Sequence, residues 1–252
     1  MLNLAEYRRA SSLLADHLPW AALIAPGVVL NKDGSFQRSF RLRGPDLESA
    51  TEAELIAICA RLNNALKRFG SGWALFFEAE RRPALNYPQS SFPDPVSQMV
   101  DSERRAGFEA EGAHFESIYY LTLLYLLPSD RTARSERLLL ESAEEVTDYR
   151  EHLNAFIAET DRAFDLLHGA LPELQPLDDG ETLTYLHGTI STRQHPIAVP
   201  ETPFYLDAIL PDEPLTGGLE PMLGDCHLRT ITLLGFPNSS RSHRLARPFL
   251  AI

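Results

Sequence analysis

The residues of this sequence that could do chemistry are two lysines, eight histidines, two cysteines and several groups of carboxylates. A phosphate-binding P-loop needs a lysine that follows glycine and precedes Ser or Thr, so that its ammonium reaches the outer phosphates while backbone amides cradle the rest. Lys32 lies in Leu-Asn-Lys-Asp-Gly and Lys67 in Ala-Leu-Lys-Arg-Phe, so neither fits. There is no GxGxxG fingerprint for a dinucleotide. The sequence therefore assigns no catalytic residue and no cofactor-binding residue.

It assigns no metal ligands either. His17, His114, His152, His168, His187, His195, His227 and His243 form no HExxH and no Cys/His finger. Asp225-Cys226-His227 resembles a ligand cluster, but neighbours on a strand point to opposite faces, which leaves only Asp225 and His227 able to cooperate. An ordinary strand edge is the preferred reading. Asp178, Asp179 and Glu181 have the types needed for proton transfer, yet helix capping uses the same residues and needs no substrate. Ser239–Ser240 lacks the GxSxG context of a nucleophile. Trp20 and Tyr119, Tyr120 and Tyr125 read as packing residues. Arg81–Arg82 and Arg104–Arg105 read as solvated pairs.

These residues must be carried by a mixed set of elements. Leu4 to Leu18 is expected to be helical and to end at Pro19–Trp20. Gly27–Leu30 and Ser35–Leu42 read as a hairpin around Asp33–Gly34 with a type I′ turn. Phe36, Arg38, Phe40 and Leu42 share one face of the second strand, Arg38 being the exception in an apolar stripe. Thr51 and Glu54 form a capping box for a helix closed near Gly70. Trp73–Ala79 and Glu116–Leu127 read as strands, and Asp94 caps a helix starting at Pro95. Apolar residues recur at helical spacing from Arg134 to Leu171, giving one long helix, or two joined at a kink, stopped by Pro172. Asp178 with Glu181 caps a short helix through His187, closed by Gly188. Tyr205–Ile209 and Cys226–Leu234 read as strands.

The fold class is α+β: an antiparallel, hairpin-containing sheet with packed helices and one long helix around 134–171. The expected organisation is an α+β subdomain over 1–128, a helical segment with further strands over 129–241, and an atypical tail over 242–252. The proline-rich loops near Pro128–Arg134 or Pro172–Pro176 are the natural boundaries.

The net charge of −12 argues against free nucleic acid as a partner, since phosphate contacts need clustered Lys and Arg. Charge is uneven, with +3 over 1–43 and −9 over 129–181. The acidic stretch reads as a solvated helix face. Two distant cysteines exclude a disulfide framework and fit a reducing compartment. Glu6 and Arg8–Arg9 rule out a signal peptide, and the most apolar run, Ile118–Leu127, is short of the roughly 20 residues a membrane span needs. Membrane contact is expected to be peripheral or through a partner.

Several segments together resemble the CagE/TrbE/VirB family of type IV secretion ATPases, in their TrbE-type form. They are Leu18 to Trp20, Pro26 to Phe36, Arg43 to Ser49, Leu62 to Trp73, Phe115 to Thr122, Leu177 to His187 and Leu233 to Pro237. The resemblance runs to about Arg241, and it is the number and order of the segments that make it specific. It implies the N-terminal, non-motor part of a conjugal transfer ATPase, docked on the inner-membrane apparatus from the cytoplasmic side. It also implies a parent that binds ATP and Mg²⁺ in a later RecA-like domain and that oligomerises. No catalytic residue of that domain can be carried over. The tail Ser242–Ile252, with Arg244 and Arg247, departs from the pattern, and the expectation is a chain cut before the motor by a frameshift, a degenerate gene or a partial reading frame. The alternatives are a stand-alone adaptor binding another secretion component, or a small enzyme with dispersed acids.

Overall fold

The hairpin that the Asp33–Gly34 turn nucleates is the start of a larger sheet. A computed structural model describes residues 13–44, 50–84, 87–110, 114–127, 143–171 and 173–229, with backbone only for 143–148. A short helix α1 (Leu14–His17) leads into strands β1 (Trp20–Ala25), β2 (Val28–Asn31) and β3 (Phe36–Leu42). Helix α2 (Glu52–Leu66), strand β4 (Trp73–Pro83), helix α3 (Pro95–Glu109) and strand β5 (Phe115–Tyr125) follow. The remainder is the long helix α4 (Ala143–His168), β6 (Gln175–Pro176), α5 (Asp179–Gly188), α6 (Leu206–Ile209) and three short strands, β7 (Leu215–Thr216), β8 (Met222–Leu223) and β9 (Cys226–His227).

The main sheet runs β1-β2-β3-β5-β4, and every pairing is antiparallel. β6 adds to β3 at Phe40 and Arg41, beyond the stretch that β2 covers. The α+β class holds. Elements from both sides of residue 128 share this sheet and its core.

Alternation along β3 and β5 assigns the layers. On the front face Phe40, Leu121 and Leu123 pack with Ala65 of α2 and with Ala163 and Leu167 of α4. Phe36 and Val28 pack against Phe156 further along α4. Arg38, the misfit in the stripe, reaches α4 as well and donates to Thr160 Oγ1 at 2.9 Å and Asp161 at 2.7 Å. On the back face Leu18, Trp20 and Val29 pack with Leu183 and Leu186 of α5 and Leu206 of α6. Trp20 is thus core, as its type suggested.

Local chemistry sets the ends of the elements. Thr51 Oγ1 accepts from Glu54 N while Glu54 accepts from Thr51 N, completing the capping box of α2. Asp178 and Glu181 form the same box on α5, and Asp94 caps α3 by accepting from Ser97 N. Four expectations need correction. The hairpin loop spans Lys32–Gly34, with Gly34 at φ 83°, so the turn is the three-residue kind and not type I′. Trp20–Ala25, to which the sequence assigns no element beyond the helix end at Pro19–Trp20, is an extra strand that pairs with β2. α2 stops at Leu66 with Lys67 as its cap, and the left-handed glycine is Gly72 (φ 88°), not Gly70. Tyr205 to Ile209 forms the helical turn α6, because Leu206 and Leu210 must both face the back core. α4 is one helix over its described length; residues 134–142, Pro172 and the strand expected beyond 229 lie outside the described residues.

Two substitutions test this arrangement. Leu121 is fully buried, so Leu121→Ala should cost about 2–5 kcal/mol in urea unfolding. Gly27 sits at φ 66°, and a Cβ there would clash with the Leu177 carbonyl oxygen. Gly27→Ala should therefore lose more than about 1 kcal/mol in the same measurement.

Candidate functional site

The back of the sheet carries a cleft of about 540 Å³ between α5, the loop after it, and the ends of β4 and β5. Arg41, Glu80, Arg82 and Tyr120 line it from the sheet, and beneath Tyr185 the sheet is polar by register. Ser39 and Thr122 face each other across β3 and β5 and their hydroxyls are 2.8 Å apart. Tyr185 of α5 lies 3.3 Å from Thr122 and donates to Glu78 at 2.9 Å. Because the phenol's one proton goes to the carboxylate, Thr122 must donate to Tyr185 and Ser39 to Thr122, so the chain of hydroxyls has one direction. Tyr120 packs its ring on Tyr185 at 4.3 Å and donates to Glu80. Burial pushes both phenols above the ordinary tyrosine range, and the charge of Glu80 adds to this at Tyr120. They act as fixed hydroxyl donors and not as bases.

The acids that the sequence offered for proton transfer are structural here. Asp178 and Glu181 close the capping box of α5. Asp179 accepts from Gly27 N at 2.7 Å, which ties the β1–β2 turn to α5. Glu181 lies 3.6 Å from Arg41. Of the arginine pairs read as solvated, Arg81 and Arg104 are exposed, whereas Arg82 and Arg105 are half-buried beside acidic partners. Arg82 lies 3.6 Å from both Glu80 and Glu116, Arg81 lies over the Phe115 ring, and Arg105 pairs with Asp101. Lys32 bonds Asp207 at 2.8 Å and so fastens the hairpin tip to α6. Asp225 sits in a turn, and His227 pairs with Glu220 at the surface. Tyr119 is exposed and not packed, whereas Tyr125 stacks near Trp73.

At one end of the cleft the fold gathers residues that sequence spacing did not connect. His187, buried at 1% exposure, lies against His195, with ring centroids 4.6 Å apart, and 3.7 Å from Asp212. Histidine at the last turn of a helix, followed by a second histidine in the next loop, was the only trace of this in the sequence.

A second surface feature stands at the rim of the sheet. Phe76 and Phe77 are consecutive on β4, the last strand of the order, and are 55% and 63% exposed. α3 adds exposed Val96, Met99 and Val100.

Residues 27–133 match the N-terminal domain of the type IV secretion system ATPase VirB4/TrbE. A probable conjugal transfer protein of Sinorhizobium fredii, named as the first part of TrbE, is 40% identical over 149 residues, covering 57% of this chain and 99% of that protein. The chain belongs to the VirB4/TrbE family. The conjugal transfer protein TrbE of Rhizobium radiobacter is 31% identical over 95% of the chain, which spans 31% of that relative's length. The type IV secretion system protein virB4 of Brucella suis is 26% identical over 113 residues, 44% of the chain and 14% of that protein. The family match includes β2 to β5, and so the floor of the cleft and the exposed edge; α5 and the His187 cluster lie beyond the matched domain. No described helix is long and apolar enough to cross a membrane.

Buried phenols give this TrbE-type fold an alkaline signature. Burial pushes Tyr149 up to about 12, and its hydroxyl has no hydrogen-bond partner among the described residues. A phenol raised in the folded state contributes stability that is complete below pH 10 and is lost as pH rises through the folded value. The melting temperature should therefore fall from pH 10 upward, and Tyr149→Phe should flatten that fall while leaving stability at pH 7 unchanged or higher. Thermal melts across that range check both.

Proposed function

We propose that this chain is the docking, non-motor part of a TrbE-type conjugal transfer ATPase, held at the cytoplasmic side of the inner membrane by components of the transfer apparatus. The observation that carries this reading is the pair Phe76–Phe77. Adjacent strand residues point to opposite faces, and both rings are exposed. Phe77 is in register with Leu121 on the front and Phe76 with Thr122 on the back. A partner that covers one face would leave the other ring in water. A partner strand added along β4 shields both at once and pairs the backbone edge as well. An extended segment of an inner-membrane component fits this demand, and membrane association then comes through that partner.

ATP chemistry in this reading belongs to other residues of the parent machine. Lys32 is bonded to Asp207, and Lys67 follows the last turn of α2 with no glycine-rich loop before it and no Ser or Thr after it. At the start of α5, which lines the cleft, Asp178 already accepts from Glu181 N and Thr182 N.

Membrane flotation of the chain, expressed with and without the inner-membrane proteins of its conjugation apparatus, tests the proposal. The chain should float only when they are present. Phe76→Glu with Phe77→Glu should abolish flotation while changing stability by no more than about 0.5 kcal/mol per site, as surface substitutions do. Flotation of the chain alone, or full flotation of the double variant, would overturn the docking reading. Micromolar, Mg²⁺-dependent ATP binding by these 252 residues would overturn the non-motor reading.

A further inference from the structure

We propose that His187, His195 and Asp212 form a site for a divalent first-row transition metal, of which zinc is the representative, at the end of the cleft. One ring nitrogen of each histidine and one carboxylate oxygen of Asp212 all lie within 4.8 Å of one another. Tetrahedral zinc with nitrogen and oxygen ligands at about 2.0–2.1 Å sets its donor atoms about 3.3 Å apart. His187 Nε2 and Asp212 are already 3.7 Å apart, and the residual closure falls on His195 and Asp212, which are exposed and carried by loops.

His187 supplies the independent sign that a ligand belongs here. Its Nδ1 is 2.9 Å from the Leu210 carbonyl oxygen, which accepts only, so Nδ1 carries the proton and Nε2 presents a lone pair. That Nε2 is buried and has no hydrogen-bond partner among the described residues. A ring whose far nitrogen donates to a backbone carbonyl while the near one is bare and aimed at two other donors is the arrangement that orients metal-bound histidine.

The outer layer is built too. Glu213, next to Asp212, accepts from Thr192 N at 2.7 Å and from Thr192 Oγ1 at 2.8 Å, and from Ser191 Oγ at 3.3 Å. This clamp holds the loop carrying His195 against the segment carrying Asp212. Three protein donors leave a fourth position open toward the cleft, where water or a group from a bound partner completes the shell. The metal would join α5, the 189–197 loop and the segment after α6.

Zn²⁺ alone, titrated calorimetrically into the whole 252-residue chain, tests the assignment. One equivalent should bind and raise the melting temperature, as any ligand selective for the folded state does. His187→Gln risks the fold because the ring is buried, so the deciding variants are His195→Ala and Asp212→Asn, both at exposed side chains. Each should weaken binding by more than about 100-fold, beyond the about 10–100-fold that follows loss of a group hydrogen-bonded to a ligand. Co²⁺ in place of zinc should give visible absorption bands that both ligand variants lose. His227→Ala, remote at the surface, should bind as the parent does. Absence of binding by the parent chain overturns the proposal. So does equal affinity in His195→Ala and Asp212→Asn, or loss of the site in His227→Ala.

Discussion

The register between β3 and β5 is the constraint on which the other elements depend. Seven consecutive pairs, from Phe36 with Tyr125 to Leu42 with Tyr119, bring the two strands into one ladder. Alternation then sorts their side chains. Phe40, Leu121 and Leu123 go to the front, where α2 and α4 cover them; Ser39 and Thr122 go to the back, under Tyr185. A slip of one residue would exchange the two sets. Two hydroxyls would then face Leu167 and Ala163 unpaired, and leucines would lie under Tyr185. The hydroxyl pair and the apolar pairs thus specify the same register from opposite sides of the sheet.

The cleft follows from how β3 spends its other edge. β2 pairs with Phe36 to Arg38, and β6 takes Phe40 and Arg41. The chain leaving β6 must turn at once into α5, and Leu177 N still donates to Ser39 O as it does so. That places the first turn of α5 beside the β1–β2 turn, where Asp179 receives Gly27 N and no Cβ fits. α5 is held at this end, and the cleft opens between its other side and β4–β5. The His187 cluster lies at the far end of the same helix because His187 is eight residues beyond the Asp179 anchor.

Local signals were legible wherever they were sufficient. The capping boxes at Thr51 and Asp178 and the cap at Asp94 involve residues three apart, and no distant contact competes with them. The hairpin and the strands β4 and β5 were legible from alternation and turn residues. The misses came where tertiary contacts decided. Trp20–Ala25 has too little alternation to read as a strand and becomes one by pairing with β2. Tyr205–Ile209 has strand-like residues but bends so that Leu206 and Leu210 both reach the back core. The metal-type cluster was invisible because Asp212 reaches His187 only through the Leu210 carbonyl contact and the Thr192–Glu213 clamp, neither of which follows from spacing.

The edge strand β4 shows how one element can be guarded along half its length and open along the rest. From Glu78 to Arg82 it carries charges, and they are engaged: Glu78 with Tyr185, Glu80 with Tyr120 and Gln194, Arg82 with Glu116. Charged side chains on a sheet edge discourage further pairing. From Trp73 to Phe77 no charge is present, and the stretch ends in two exposed rings. Selection against aggregation alone would favour a charge at Phe76 or Phe77, since neither ring contributes to the cores and a surface substitution there costs little. Keeping both rings makes sense if something covers them, and the charged half then limits how far along the edge that partner can extend. The segment open for pairing is only about five residues long, near the common length of a strand. An edge of that length holds a short extended peptide in one register more readily than it templates an open-ended sheet, which is what a docking contact within a larger assembly requires.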